Sequence, residues 1–421
     1  MIRLIEQRLR ERQGDVDAWL ATIWKDCGVP FYASADIRNA HFKVSVIDTN
    51  LFPAGFNNLC STVRDAASDA VRDYLLRCAG NPRSVLLITE MHTRNLYYLE
   101  NVVALQGILQ KAGVEVVCGT WGLPDGSKQM SFDLPSGQKL LLRQICRKDV
   151  NVLACGETVP DVVISNNDFS NGIPEPLQGV RQPILPPPQL GWYQRRKSDH
   201  FVYYKDTVTE LARILDLDPW LFYPLTELQG GIDFQAQEGL EALAATVDRV
   251  ISQIREQYAR YHITETPYVF IKNNRGTYGL GIMTARRGDE VLTLNRKQRN
   301  NMAYSKSKKA VDEVIVQEGI PTYERVKDQA AEPVMMSIGS RVIGGFLRFH
   351  SEQNDQENLN SPGMAFERLC LTECVSEDRR GQLCVVDRCR DTVYSCLTLA
   401  AVAASSREMK AVLAKPEQIH V

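Results

Sequence analysis

The sequence predicts a mixed α/β protein with α+β elements, and three stretches carry that prediction. From Ser84 to Thr120 the chain alternates strand, helix and strand: SVLLITE, an amphipathic segment over Tyr97–Ala112, Gly113, then VEVVCGT. From Tyr268 to Met283 it reads YVFIKNNRGTYGLGIM, an apolar β run that leaves the core at Lys272 and enters a loop containing Gly276, Gly279 and Gly281. After Glu332, PVMMSIG and SRVIGGFLRFHS read as a hairpin.

Composition narrows the function classes. A chain of 421 residues and 47.4 kDa buries a large core and divides into two or three subdomains. Its 44% hydrophobic and 24% charged residues are ordinary for a globular protein, and a formal charge of −2 argues against a general nucleic-acid binder. Any anion site must therefore be local. Eleven cysteines without C-x-x-C pairs point to reduced thiols rather than a disulfide framework or a zinc site, hence to the cytoplasm. No run approaches the length of a membrane span, so no membrane partner is expected, while a homo-oligomer stays open.

In chain order, MIRLIEQRLRERQGDVDAW is a charged amphipathic helix. HFKVSVIDTN, His41 to Asn50, alternates as a strand whose Asp48 and Asn50 point to one face. A carboxylate and an amide oxygen so placed suit one hard cation such as Mg²⁺; the same two residues would also serve simply to start the turn LFPAGFNNL. Ligands of open α/β sheets bind beyond strand carboxyl ends, which singles out Glu90, His92, Arg94 and Asn95, then Asn166, Asn167 and Asp168 at the end of DVVISNND. His92 reads as a local hydrogen-bonder rather than a catalyst. Pro174–Gln189 reads as an extended linker. In GWYQRRKSDHF the cations Arg195, Arg196 and Lys197 make either a solvated turn or a carboxylate clamp. Helices follow at Lys205–Leu217 and Leu240–Tyr261.

The loop after Lys272 fits neither G-x-x-x-x-G-K-[ST] nor G-x-G-x-x-G. Its N–H groups with Lys272 and Arg275 could hold phosphate oxygens, or the stretch could be a plain glycine-rich hairpin. The basic stretch LNRKQRNNMAYSKSKKAVDE reads as a solvated lid surface, and VIVQEGIP (314–321) as a strand. In the hairpin, Arg348 and His350 share a strand face. NLNSPGMAF, Asn358 to Phe366, is a small-residue loop, and an alanine-rich helix over Val393–Ala414 closes the chain.

The lysine strand with its glycine loop resembles the phosphate-grasping segment of ATP-grasp ligases. IDTNLFPAGFNNL is similar to the stretch in eukaryotic-type glutathione synthetases where an acid-x-Asn pair ligates magnesium, a family permuted so that this strand comes early. With EMHTRN, GWYQRRKSDHF, the Gln317-Glu318-Gly319-Ile320 hinge and the Arg348 strand in the same order, the chain resembles the proteobacterial glutamate–cysteine ligase family over roughly residues 30–410.

The resemblance implies a permuted, glutathione-synthetase-like ATP-grasp fold with a Rossmann-like substrate subdomain. Residues 1–80 would carry the N-terminal helix and metal strand, 81–190 the substrate subdomain, and 191–421 the ATP-grasp region with lid and C-terminal helix. It implies ATP and Mg²⁺, with L-glutamate and L-cysteine joined through an acyl phosphate. Asp48 and Asn50 would hold metal. Lys272, Asn274, Arg275, Gly276, Gly279 and Gly281 would hold nucleotide, together with Gln317, Glu318, Ile320, Glu332 and His350. Arg348 and Lys272 would be catalytic. Asn57, Asn58, Arg94, Glu100, Asn101, Arg195 and Arg196 would meet substrate. One departure is that Gly276 stands where the family pattern has a further acid, which leaves Asn274 or Glu318 to substitute. Another ATP-grasp carboxylate–amine ligase, such as glutathione synthetase, is the alternative from the same fold. A regulatory protein with a dead core is a third reading, against which the presence of Lys272 and Asp48 argues.

Overall fold

The computed structural model describes residues 1–90, 95–124, 126–275, 281–303, 310–369 and 388–415. It is mixed α/β, built on three sheets. A six-stranded antiparallel sheet runs Ala365–Leu369, Arg341–Phe349, Gln329–Ile338, Tyr32–Asn39 and Val44–Asn50, with Arg325–Val326 pairing the third of these. A four-stranded antiparallel sheet runs Thr226–Gly230, Glu313–Glu318, Val269–Asn273 and Ile282–Ala285. A seven-stranded sheet lies wholly between residues 84 and 185; its centre, Glu115–Thr120, Ser84–Ile88 and Val162–Ser165, is parallel.

The β readings place three strands of the cleft walls described below. Lys272 ends the Val269–Asn273 strand, and Asp48 and Asn50 end Val44–Asn50. Helix ends shift by a few residues: the expected Tyr97–Ala112 helix is Leu96–Lys111, where Asn95 Oδ1 accepts from Tyr98 N at 3.2 Å and caps the first turn. The N-terminal helix is two, Ile2–Glu11 and Gln13–Cys27, broken at Arg12. The expected linker Pro174–Gln189 instead contributes Ile184–Leu185 as a parallel edge strand beside Val162–Ser165. Proline suits that place, since an edge strand can lack a ladder donor.

Each antiparallel sheet is closed on its outer side by helix. In Leu240–Arg260 the residues Leu240, Leu243, Val247, Val250, Ile251 and Ile254 are buried, the spacing of one helical stripe, and they pack under the four-stranded sheet. Ser61–Cys78 packs on the six-stranded sheet, where a Cβ on Gly344 would meet Val63 Cγ1 at 2.8 Å and the backbone takes φ +137°. Only glycine fits there. The long Arg388–Leu413 helix answers to the apolar, alanine-rich helix expected over Val393–Ala414: Tyr394, Leu397, Ala400, Ala401, Ala403 and Ala404 are all buried, and it packs on the first two helices and on Lys197–Leu215. Small alanines let three helices approach it. No helix among the described residues is long and apolar enough to cross a membrane.

Candidate active site

Between the two antiparallel sheets lies a cleft of about 500 Å³. Strand alternation builds its walls. Phe270 and Lys272, two apart, face it from the four-stranded sheet with Ile282 beside them. From the six-stranded sheet come Asp36 and Arg38, two apart on one strand, Asp48 opposite Asp36 on the next, and the cross-strand pair Glu332 and Arg348. Lys197, Asn273, Asn358 and Asn360 complete the lining.

The charges form one network. Arg348 Nη1 donates to Asp36 Oδ2 and Glu332 Oε1, both at 2.8 Å, and Arg38 Nε donates to Glu332 Oε2 at 2.7 Å. Arg38 also donates to the carbonyls of Asp355 and Glu357 at 2.8 Å, which fixes the loop that brings Asn358 and Asn360 to the cleft. Lys272 Nζ donates to Gln317 Oε1 at 2.7 Å and Ile47 O at 3.1 Å. Lys197 Nζ lies on Asp48 Oδ1. Four cations thus face three carboxylates, a small positive excess.

Electrostatics follow from enclosure and neighbours. Enclosure would raise Asp48, but Lys197 and Lys272 outweigh it and hold the carboxyl at about 2. Burial pushes the Lys272 ammonium down to about 8 against the pull of Asp48. Burial lifts Asp36, against Arg348, and the nearby Glu332 and Asp48 lift it further. Burial opposes ionisation of Glu332 too, yet Arg38 and Arg348 keep it below its usual range. Arg348 is held charged: burial works against its guanidinium, but Asp36 and Glu332 prevail, and its buried Nε has no partner among the described residues.

The structure brings Asp48, Lys272, Glu332 and Arg348 together and gives several other expected site residues different tasks. Asn50 does not line the cleft; its Oδ1 accepts from Phe52 N at 2.9 Å and closes the following turn. Asn274 Oδ1 accepts from Ser198 N, and Asn274 O from Lys197 N, both at 2.9 Å, so this residue caps the Lys197–Leu215 helix. Glu318 points to the opposite face from Gln317 and forms a buried ion pair with Lys43 at 2.7 Å, behind the sheet. Its place next to Gln317 in a strand requires that. His350 falls beyond the end of its strand; both ring nitrogens are used, Nε2 with Pro362 O at 2.9 Å and Nδ1 with Glu352 N at 3.1 Å. Ile320 O accepts from Arg38, and Ile320 packs with Ala40 and Ile47. Arg275 N donates to Asn273 Oδ1 at 2.9 Å, and its buried Nε has no partner among the described residues; Gly281 has φ +63°.

The expected substrate residues likewise divide. Arg195 is buried and bidentate to Glu408, at 2.8 and 3.0 Å, with Nη1 donating to Thr49 O at 2.7 Å, so its fork is not open to a ligand. Arg196 pairs loosely with Glu313 at 3.5 Å. Asn101 Oδ1 accepts from Gly55 N and Phe56 N at 2.9 and 3.0 Å, positioning the turn that carries Asn57 and Asn58. Glu100 Oε1 accepts from Ser136 N at 2.7 Å and holds a hairpin. Arg94, Gly276 and Gly279 lie outside the described residues.

Sequence reasoning missed Asp36, Arg38, Asn273, Asn358 and Asn360. The signal for the first two was present, since Ser34, Asp36 and Arg38 alternate with Ala33, Ala35 and Ile37 as one polar and one apolar face.

A family model described as glutamate-cysteine ligase matches residues 6–409. A crystal structure from Methylobacillus flagellatus KT, of a protein provisionally named a gamma-glutamylcysteine synthetase, is similar at 41% identity and TM-score 0.87, over 97% of this chain and 96% of that one. A glutathione synthetase-like effector from Globodera pallida, in apo form, aligns over 87% of this chain and 83% of its own, at 11% identity and TM-score 0.40, too loosely to support an argument. No curated protein matches.

Proposed function

We infer the chemistry of this cleft from one premise: the chain belongs to the glutamate–cysteine ligase family. The protein is a ligase that joins L-glutamate to L-cysteine, the first step of glutathione biosynthesis, and enzymes of this kind use ATP and a divalent metal. The finer reading is that glutamate's γ-carboxylate is activated as an acyl phosphate in the cleft between the antiparallel sheets. One observation carries it: Lys272, Arg348 and Asp48 meet there from three separate strands.

A carboxylate is a poor acyl electrophile, so the terminal phosphoryl group of ATP must first be transferred to it. Lys272, near Asp48 and Gln317, would bind the triphosphate as a point charge. Arg348, already oriented by two carboxylates and with an Nε unpartnered among the described residues, would stabilise charge that grows on the transferring phosphoryl. The amine of cysteine then attacks the acyl carbon, and phosphate leaves.

The donors present fit magnesium. Asp48 already carries a cation, the Lys197 ammonium, and supplies the anionic oxygen that magnesium takes. No group of three or more His, Cys, Asp or Glu side chains gathers to hold a metal among the described residues, so phosphate and water would have to complete the ion's shell. Asp48 would hold it, since Asp36 and Glu332 are committed to arginines. When bound, magnesium would neutralise the phosphate oxygens. Asp48→Asn should raise the magnesium concentration for half-maximal rate by about tenfold or more, for loss of one anionic ligand. An unchanged magnesium dependence would remove Asp48 from the metal site.

The reaction is tested with glutamate labelled by ¹⁸O in the γ-carboxylate. The label should appear in released phosphate, because that oxygen bridges carbon and phosphorus in the intermediate, and ADP should form with cysteine as acceptor. AMP and pyrophosphate as products would sink the reading. The reduced thiols of Cys27, Cys78, Cys118, Cys146, Cys155 and Cys396 suit a reducing cytoplasm.

A further inference from the structure

Lys197 was one of three neighbouring cations in the sequence, yet it alone of them lines the cleft. Its Nζ rests on Asp48 Oδ1, its side chain is 5% exposed, and no second hydrogen-bond acceptor for Nζ is found among the described residues. The Trp192 ring centroid lies 4.9 Å from the ammonium. Its backbone N–H is fixed to Asn274 O at 2.9 Å, so the start of the helix is anchored while the side chain reaches across to the other sheet. Asp48, by contrast, keeps 35% of its side chain exposed toward the cleft.

We propose that Lys197 is a placeholder cation: it neutralises Asp48 in the empty cleft and is displaced by the divalent metal, which frees the ammonium to meet the anion arriving with that metal. This rests on the reading of Asp48 as a metal ligand, but not on which amino acids are joined. Two cations at ion-pair distance from one carboxylate oxygen repel each other, so the ammonium must withdraw when a metal ion takes the oxygen. The Trp192 ring already lies beside the paired ammonium and would go on attracting it as it withdraws. A metal ion alone has to compete with a tethered ammonium. A metal ion with a triphosphate brings its own oxygens, and also an acceptor for the displaced cation. Metal binding is thereby made dependent on nucleotide.

The size of the competition sets the test. If the ammonium occupies Asp48 about nine-tenths of the time, apparent metal affinity falls about tenfold. Mn²⁺ binding to the full chain, without nucleotide, is read from the electron paramagnetic resonance of the free ion. Lys197→Met should bind Mn²⁺ about tenfold more tightly than the unmodified protein, and adding Asp48→Asn should remove the gain. Equal or weaker Mn²⁺ binding by Lys197→Met overturns the proposal. If circular dichroism shows that Lys197→Met does not fold, Lys197→Gln is read by the same criterion. The unmodified protein gives an independent readout: acetic anhydride labelling followed by mass spectrometry. Lys197 acetylation that rises at saturating Mg²⁺ supports displacement, and acetylation that does not change overturns it. Neither measurement uses glutamate or cysteine, so failure of the ligase chemistry and failure of the exchange are separable.

Discussion

Arg348→Lys should lower kcat by about 100-fold or more while the Kd for ATP moves by less than about threefold. Lysine keeps a positive charge between Asp36 and Glu332 but lacks the fixed guanidinium plane, whose Nη1 donates to both at 2.8 Å and whose Nε has no partner among the described residues. The substitution separates catalysis from folding better than alanine, which would strip half-buried Asp36 of its cation, leave Glu332 only Arg38, and cost about 3 kcal/mol of stability. Single-turnover rates, ATP titrations and a denaturation curve together decide it. A kcat within about threefold of the unmodified enzyme would take Arg348 out of the transition state.

Glu408→Ala should destabilise the protein by about 3–5 kcal/mol, because it strips a buried arginine of its carboxylate. Arg195 would keep only Thr49 O, and His200, whose Nδ1 lies 3.0 Å from Glu408 Oε2, would lose its ring partner. Burial works to raise the Glu408 carboxyl, but Arg195 and His200 prevail and hold it at about 2, below its reference of 4.5. The folded value is depressed, so its stabilisation is complete above about 4.5 and is lost as pH falls from there toward about 2. Urea titrations across that window should show stability falling with acid in the unmodified protein, and a flatter dependence in Glu408→Gln. Equal slopes would mean that the ion pair does not carry the acid sensitivity.

The cleft was legible where a strand states its own face. Phe270 with Lys272, and Asp48 on the strand from Val44, follow from period-two alternation, which needs no distant partner. Arg195 could not be read this way. Its role depends on Glu408, 213 residues further on, and a sequence shows a cation but not the carboxylate that folding brings to it. His350 was hard to place for a local reason: the strand stops at Phe349, so the rule that places residues two apart on one face no longer applies. Glu318 was within reach of alternation, because Gln317 and Glu318 must point to opposite faces and Lys272 claims Gln317. Tyr32–Asn39 was passed over since its apolar face is small, Ala33, Ala35 and Ile37, and its other face carries the charges that make the cleft.

That same strand has a consequence for synthesis. Tyr32–Asn39 pairs on one side with Val44–Asn50, a few residues away, and on the other with Gln329–Ile338. Its second edge cannot be satisfied until the ribosome has made nearly three hundred further residues, which takes roughly 15–60 s at ordinary elongation rates. For that interval a nascent hairpin offers an open ladder edge to any other chain in the same condition. Chaperone occupancy of the early nascent chain, read by ribosome-associated pulldown at successive lengths, should therefore persist until residues near 338 have emerged and then fall.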